Sequence, residues 1–529
     1  NKGIFTSARI RGRVHADLYD FVENILASNL KSEILTLENV SKELIGETKE
    51  RLEFAQVKEL WLKSPKKLSE HCLKDAQLTL KLSAFIIPQI IELCKLSGQG
   101  LFDVSRMRYS QLVETMLMAR TRDANEIIPN RPRYEEIERR RTQAKYEGGY
   151  VRQPKQGLVE NVAVFDFRSL YPSIIVAHNV DVSTINCGHS GCSSNKPPEK
   201  NFCFCRQATG FIPKALEELL RKRQEIKSKI RIASPKEKTS LNQKQFALKT
   251  VTNAAYGYYA YPASRWYSRE CAESVAAFGR NYIHAVINSA DSFGFEVVYG
   301  DTDSLFVTTK SNMNERAQKF LDNVNKRLPG IMKLELGGIY ATGLFVSSKT
   351  GAAAKKRYAL MSQHGDLVIR GFERVRRDWC DLAKETQEKV LRMVLEKKPE
   401  KAAEFVRSVV RDLRACKIPL QKLVIYTQLS KPLSEYELIG PHVAVAKRMF
   451  EQGRSVSEGT TIRYIITKGI GSIADRARSA DEVAPQDYDA EYYANNQVIP
   501  AALRVLKDLG HSQDDLSEVE QSKLGKFLK

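Results

Sequence analysis

The sequence predicts an α+β protein of several domains. Its 529 residues exceed what one ordinary hydrophobic core accommodates, and length alone suggests about three or four domains. Long stretches repeat apolar residues at helical spacing, whereas shorter ones read as buried or alternating strands. Two of the strand-like runs are separated by Asp301-Thr302-Asp303, the composition of a β-hairpin with acids at its tip.

Residues 66–96 and 103–120 show helical spacing, and Val162-Ala163-Val164-Phe165-Asp166-Phe167 reads as a buried strand ending at Asp166. After Pro213, a suitable first helical residue, Leu216, Leu219, Leu220, Ile226 and Ile230 form one stripe to about residue 231, with Arg223 on it. Pro235 and its polar neighbours predict a turn. A second helix from about Ser240 to Tyr258 then completes an antiparallel helical hairpin. Phe295 to Gly300 and Ser304 to Thr309 are the strands flanking the acidic tip, and from Gly371 onward helices dominate, beginning near Arg374, Arg376 and Arg377. The loop-like break in composition is Cys187 to Thr209, and no repeat occurs at solenoid periods.

Lys and Arg outnumber Asp and Glu by 83 to 63, a formal charge of +20 that suits a partner carrying many phosphates but does not by itself identify one. No apolar run approaches the roughly 20 residues of a membrane span, so a soluble globular protein is expected. Nine cysteines in so long a chain do not make a small secreted disulfide framework, which points to an intracellular compartment. The chain opens Asn1-Lys2-Gly3 without an initiator Met, so an N-terminal part is expected upstream.

Asp301 and Asp303 can point together only if cations offset their repulsion, and Asp166 at another strand end can complete the set. Two or three rigid carboxylates suit two Mg²⁺ ions that activate a hydroxyl and neutralise a triphosphate. A solvated acidic turn is the ordinary alternative for Asp-Thr-Asp alone. Lys249, Asn253 and Tyr256 fall at i, i+4 and i+7 on one helix face, aligning a cation, an amide and an aromatic. Lys249 can hold phosphate oxygens, Asn253 can hydrogen-bond a triphosphate, Tyr256 beside Gly257 can pack on a base pair, and Arg223 can join from across the hairpin. Cys187, Cys192, Cys203 and Cys205 have C-x₄-C and C-x-C spacing with His189 between. They offer ligands for a tetrahedral Zn²⁺, while disulfides and free thiols stay open.

Asp166-Phe167-Arg168-Ser169-Leu170-Tyr171-Pro172-Ser173-Ile174-Ile175 resembles the first polymerase motif of family B DNA polymerases, especially archaeal ones. Lys249 to Gly257 is similar to the second motif and Tyr299-Gly300-Asp301-Thr302-Asp303-Ser304 to the third, in the family's order. The resemblance implies a right-hand polymerase fold: a palm with an antiparallel sheet, helical-hairpin fingers and a helical thumb, preceded by the end of an RNase H-like 3′–5′ exonuclease domain. The implied spans are 1–86 exonuclease, 87–128 a return segment of the N-terminal domain, 129–212 and 261–346 palm, 213–260 fingers, and 347–529 thumb with a tail.

Template-directed addition of dNTPs to a primer by two-metal nucleotidyl transfer follows from the resemblance. Asp166, Phe167, Asp301 and Asp303 are the implied metal site, and Lys249 also the proton donor to pyrophosphate. Ser169, Leu170 and Tyr171 are implied to meet the incoming nucleotide with Arg223, Lys249, Asn253 and Tyr256, with Tyr171 as the steric gate against a 2′ hydroxyl. Tyr146-Glu147-Gly148-Gly149-Tyr150-Val151 resembles the linker motif between exonuclease and polymerase regions, and Lys355-Lys356-Arg357-Tyr358 the motif that holds primer-template DNA; Tyr146, Gly148 and Gly149 are expected at the DNA with the latter four.

His71-Cys72-Leu73-Lys74-Asp75-Ala76 looks like the third exonuclease segment, with His71 where the family has Tyr. Asp75 would be a metal ligand there, and the remaining acids are expected upstream, so the parent protein would proofread while this site is incomplete. Some archaeal relatives carry a disulfide in the cysteine-bearing loop. Gln521-Ser522-Lys523-Leu524-Gly525-Lys526-Phe527-Leu528 looks like a sliding-clamp binding box with Gln521, Leu524, Phe527 and Leu528 as anchors. An archaeal polymerase of this kind would be cytoplasmic and nucleoid-associated. Other palm enzymes, such as reverse transcriptases, usually carry adjacent aspartates instead of Asp-Thr-Asp. A non-catalytic paralogue is disfavoured because all three acids are kept.

Overall fold

Seven antiparallel strands make the floor on which the polymerase-motif acids stand. They are β1 (Val151–Arg152), β2 (Gly157–Phe167), β3 (Glu296–Asp301), β4 (Ser304–Thr308), β5 (Leu334–Ser347), β6 (Ala353–Met361) and β7 (Leu367–Arg370), in the spatial order β1-β3-β4-β2-β5-β6-β7. The computed structural model describes residues 7–30, 34–49, 52, 54–347 and 353–517. Successive side chains of a strand alternate between faces. Ala163, Phe165 and Phe167 of β2, with Leu305 and Val307 of β4, therefore enter the larger core. Val162, Val164 and Phe306 enter a thin second cluster with Tyr299 and Phe345 on the opposite face. Asp166 and Ser304 follow the second parity, at the end of that face.

Helices back the sheet and build the rest. They include α1 (Pro65–Ser97), α2 (Tyr109–Ala124), α3 (Leu170–Ala177), α4 (Phe211–Ile232), α5 (Pro235–Ala260), α6 (Arg269–Ala290) and α7 (Met313–Arg327). Phe165 packs edge-on against Phe295 and against Phe320 of α7, with ring centroids 6.0 and 5.0 Å away. Burying a side chain of that size contributes about 1.5–3 kcal/mol, so the helices hold the sheet's back face firmly.

The helical hairpin α4–α5 forms as expected, but its connection is shorter. Pro235 does not make a turn. It is the first residue of α5, where its missing N–H costs nothing, and Ser234 caps the helix reciprocally with Glu237, whose carboxylate accepts from the Ser234 amide at 3.0 Å. The span 103–120 divides into Leu101–Val104 and α2.

The C-terminal region contains α8 (Asp381–Leu395), α9 (Pro399–Arg414), α10 (Pro441–Glu451) and α11 (Ile499–Leu506) around a separate core. Helices dominate here as expected, and beside them stands a three-stranded antiparallel sheet, β10-β9-β8, of Ala477–Ser479, Thr461–Ile466 and Ile425–Gln428, that the sequence reading did not include. Strands of three to six residues have too few repeats for period two to emerge from the sequence.

Three expected boundaries fall inside continuous structure: α1 crosses 86/87, α4 crosses 212/213, and β5 crosses 346/347 while β6 and β7 extend the same sheet. Helix α1 is also long and apolar enough, by length and composition, to cross a membrane, contrary to the sequence expectation. Its Leu82, Ile86, Ile90 and Leu93 instead pack in the larger core.

Candidate active site

The hairpin β3–β4 closes with Asp301 opposite Ser304, leaving Thr302 and Asp303 as its two-residue loop. Thr302 adopts φ +56°, and its amide donates to the Tyr150 carbonyl at 2.8 Å. On the neighbouring strand Asp166 lies opposite Ser304, and the Phe167 amide donates to the Asp303 carbonyl at 2.8 Å. Ser304 Oγ donates to Asp166 Oδ1 and lies 3.4 Å from Asp303 Oδ1, so one hydroxyl stands between the two carboxylates.

That arrangement strains both charges. Burial, and then Glu335, raise the Asp166 carboxyl against the opposing Ser304 hydrogen bond. Confinement in the cleft pushes Asp303 up to about 6, and the nearby Asp166 charge adds to the shift. Both shifts fit a site built for cations: hard carboxylate oxygens facing one another gain from a divalent ion between them. Asp301 differs. Its carboxylate accepts from Tyr299 Oη at 3.2 Å and Thr302 Oγ1 at 3.0 Å, with Lys356 Nζ 3.6 Å away.

A cavity of about 340 Å³ is lined by Ser169, Leu170, Tyr171, Pro172, Arg223, Lys249, Asn253, Thr302 and Asp303. It gathers residues that the sequence places just after the strand bearing Asp166, on both helices of the hairpin and in the acidic turn. Lys249 and Asn253 are exposed on α5 while Leu248, Val251 and Ala255 on its other side are buried, the amphipathic split that aims the polar pair at the cleft. Arg223 is buried, donating from Nη1 to Ser169 Oγ at 2.8 Å and from Nε to Gln245 Oε1 at 2.9 Å. It braces both helices of the hairpin against the palm and reaches the cleft with what remains of its guanidinium. The Leu170 side chain is buried, which leaves its backbone for a ligand.

The Tyr171 ring sits 4.3 Å from that of Tyr256, and a Cβ added to Gly149 would come within 2.8 Å of its hydroxyl. Burial, and secondarily Asp303, push the Tyr171 phenol up to about 12, so it stays protonated. The glycine loop is tethered on three sides: Tyr146 and Tyr256 share a hydroxyl contact of 3.1 Å, Arg280 of α6 donates to the carbonyls of Glu147 and Gly148, and Tyr150 holds Thr302. Gly149 is thus required by its closeness to Thr302 and Tyr171, whereas a Cβ on Gly148 would meet nothing within 4 Å.

The strand Lys355-Lys356-Arg357-Tyr358 divides in use. Lys355 and Lys356 are exposed, while Arg357 donates to the Gly371 carbonyl at 3.0 Å and pairs with Glu373, and Tyr358 packs against Phe306 at 4.9 Å. Asp75 is paired with Lys49, with His71 Nδ1 3.8 Å away. No three carboxylates among the described residues gather around it at metal-ligand distances. All nine cysteines are free thiols, and the compact set is Cys187, His189, Cys192 and Cys205, which corrects the inclusion of Cys203. The Cys203 backbone pairs with Asn186, its amide donating to Asn186 Oδ1 at 3.0 Å and its carbonyl accepting from the Asn186 amide at 2.8 Å, and its thiol is outside the set. Gln521, Leu524, Phe527 and Leu528 lie outside the described residues.

Sequence reasoning missed Ser304 as a bridge between acids, Gln245 and Arg280 as braces, and Gly337. The register between β2 and β5 slips between Val164 and Phe165, leaving Gly337 unpaired in a bulge. A Cβ there would lie 2.2 Å from Asp166 Oδ2, so glycine is what lets the carboxylate sit against β5. The signal was a Gly337-Gly338 pair within a strand-like run, which marks a bulge or a close approach.

The sequence model of DNA polymerase family B matches residues 103–509. A DNA polymerase of Pyrococcus glycovorans is 42% identical over 526 residues, covering 97% of this chain and 66% of the relative. One of Thermococcus gorgonarius is 40% identical over 537 residues, covering 99% and 68%. Among solved structures, the family B DNA polymerase of the hyperthermophilic archaeon Pyrobaculum calidifontis aligns with TM-score 0.70 and 33% identity, over 95% of this chain and 65% of that one. The chain therefore spans about two thirds of the length of these relatives.

Proposed function

Because the chain belongs to DNA polymerase family B, we propose that it performs DNA-directed DNA synthesis, adding dNTPs to a primer 3′ hydroxyl. The observation that carries this reading is the pair Asp166 and Asp303, shared by Ser304, beside a cavity that also holds Tyr171, Lys249 and Asn253.

Members of the family work with divalent metal ions, and Asp166, Asp303 and the Phe167 carbonyl would hold them, with Asp301 at the rim. Two Mg²⁺ ions bound there would supply Lewis-acid activation of the primer hydroxyl and neutralise the triphosphate. The protein's own groups do the rest. Lys249 and Asn253 grip the phosphates from α5, and Lys249 carries the proton that the departing pyrophosphate needs. Tyr171, wedged between Gly149 and Tyr256, occupies the space a 2′ hydroxyl would need. Lys355 and Lys356 offer charge to the duplex backbone along an exposed strand.

Primer extension tests the proposal. Asp166→Ala is expected to lose turnover by several orders of magnitude on a DNA template with dNTPs while keeping duplex binding, because the acids act on the transition state more than on docking. Near-normal extension would remove Asp166 from the site, and extension by wild-type enzyme only on RNA templates would sink the DNA-directed reading. Two further parts rest on sequence alone: docking of a sliding clamp on the tail from Gln521 to Leu528, and a proofreading activity of a longer protein in which Asp75 would serve as a metal ligand.

A further inference from the structure

We propose that Cys187, His189, Cys192 and Cys205 bind one zinc ion that fastens the loop between α3 and α4 to the base of the helical hairpin. Their four ligand atoms all lie within 4.8 Å of one another. Cys192 Sγ is 4.0 Å from Cys205 Sγ, and Cys205 Sγ is 3.4 Å from His189 Nδ1. Sulfurs on a tetrahedral zinc stand about 3.8 Å apart, given Zn–S bonds of about 2.3 Å, so little movement separates this arrangement from a closed shell.

The backbone around the cluster suits thiolates. Arg206 N–H donates to Cys192 Sγ at 3.2 Å, and Gln207 and Ala208 N–H donate to Cys205 Sγ at 3.4 and 3.3 Å. Amide donors to sulfur favour its charged form and orient it, as the outer shell of a metal site does. The chain curls around the point through Gly188 and Gly191, both in the left-handed region at φ +74° and +82°. Cys192 and Cys205 are buried, whereas His189 is exposed and closes the set from the solvent side.

Three soft thiolates and one imidazole make a closed tetrahedral set with no open position, the pattern of structural zinc rather than of a hard cation. A disulfide would use two of the three sulfurs and leave the third and the imidazole unexplained. Binding needs the thiols deprotonated; up to three protons pass to solvent and no electron moves. The cluster's place in the fold gives the ion its role. Asn179, just after α3, donates to the carbonyls of Cys205 and Ala208 at 2.8 Å each and accepts from the Gly210 amide, the cap of α4. The ion would therefore fix the joint from which the helical hairpin springs.

The full chain, purified under reducing conditions without chelator, should carry about one zinc per molecule by inductively coupled plasma mass spectrometry. Cobalt(II) added to reduced, zinc-stripped protein should give the intense visible bands and sulfur-to-metal charge transfer of tetrahedral thiolate coordination. Cys203→Ser should keep both signals, Cys192→Ser should lose both, and His189→Ala should bind at least tenfold more weakly. The cobalt spectrum is read on the unmutated protein, so it does not depend on any variant folding. Absence of cobalt binding to the reduced protein, iron in place of zinc, or equal loss in Cys203→Ser would overturn the assignment. None of these readouts requires polymerase activity.

Discussion

Asp303 is held where its own charge is unwelcome. A carboxyl whose folded pKa lies near 6, above its ordinary value, weakens the folded protein while ionised, so stability without metal should rise as pH falls through about 6. Asp303→Asn removes that charge. In EDTA at neutral pH the variant should melt at or slightly above wild type, the gain being about 1 kcal/mol or less because the residue keeps an exposed edge. Addition of Mg²⁺ should raise the melting temperature of wild type and leave the variant unmoved. A metal-dependent rise of equal size in both would place the ions elsewhere. Tyr171 makes a second point at this scale. Its position is over-determined by Gly149, Gly279 and Tyr256, so Tyr171→Ala should open space without disturbing Lys249. The ratio of dNTP to rNTP incorporation efficiency should then fall, while dNTP use persists; an unchanged ratio would acquit Tyr171 as the gate.

Among elements, the helical hairpin and the acidic turn were readable because their signals are local: one stripe at helical period, one Asp-Thr-Asp between two apolar runs. The i, i+4, i+7 placing of Lys249, Asn253 and Tyr256 needs only one helix to be true. What stayed hidden depends on pairing between distant segments. Gly337 matters through a register slip against Val164 and Phe165, some 170 residues away in the chain, and no local pattern announces that. The presence of His189 and not Cys203 in the compact set likewise goes with a folded loop, closed by a single antiparallel bridge between Ile185 and Phe204, and not with Cys spacing. The bulge can be tested directly. Gly337→Ala drives a methyl into Asp166 and should cut kcat by about 10²-fold, the scale of a misplaced catalytic group, with the dNTP KM nearly unchanged. Wild-type turnover would show that β5 gives way at no cost.

For the whole molecule, an excess of positive charge becomes useful only where it is free. Arg357 is spent on Gly371 and Glu373, whereas Lys355 is exposed on the same strand and Lys356, also exposed, stands 3.6 Å from Asp301 at the acidic turn. Replacing both with Ala should weaken duplex binding uniformly across sequences and reduce the slope of log affinity against log salt by about 1–2. An unaltered slope would remove these lysines from the DNA path. The tail from Gln521 to Leu528 belongs to this scale too: its peptide should bind a sliding clamp by calorimetry, and Phe527→Ala should cost on the order of 2 kcal/mol. The strand β5 carries a last consequence. Its 14 residues begin at Leu334 in the larger core, pass Gly337 beneath Asp166, and end with Leu344, Phe345 and Val346 in the other two cores. It is a single beam of about 45 Å bearing the reaction floor at one end and the C-terminal domain at the other. The reaction floor and the C-terminal core thus share one continuous strand, and the slipped register at Gly337 lies on it between Asp166 and the residues Leu344 to Val346.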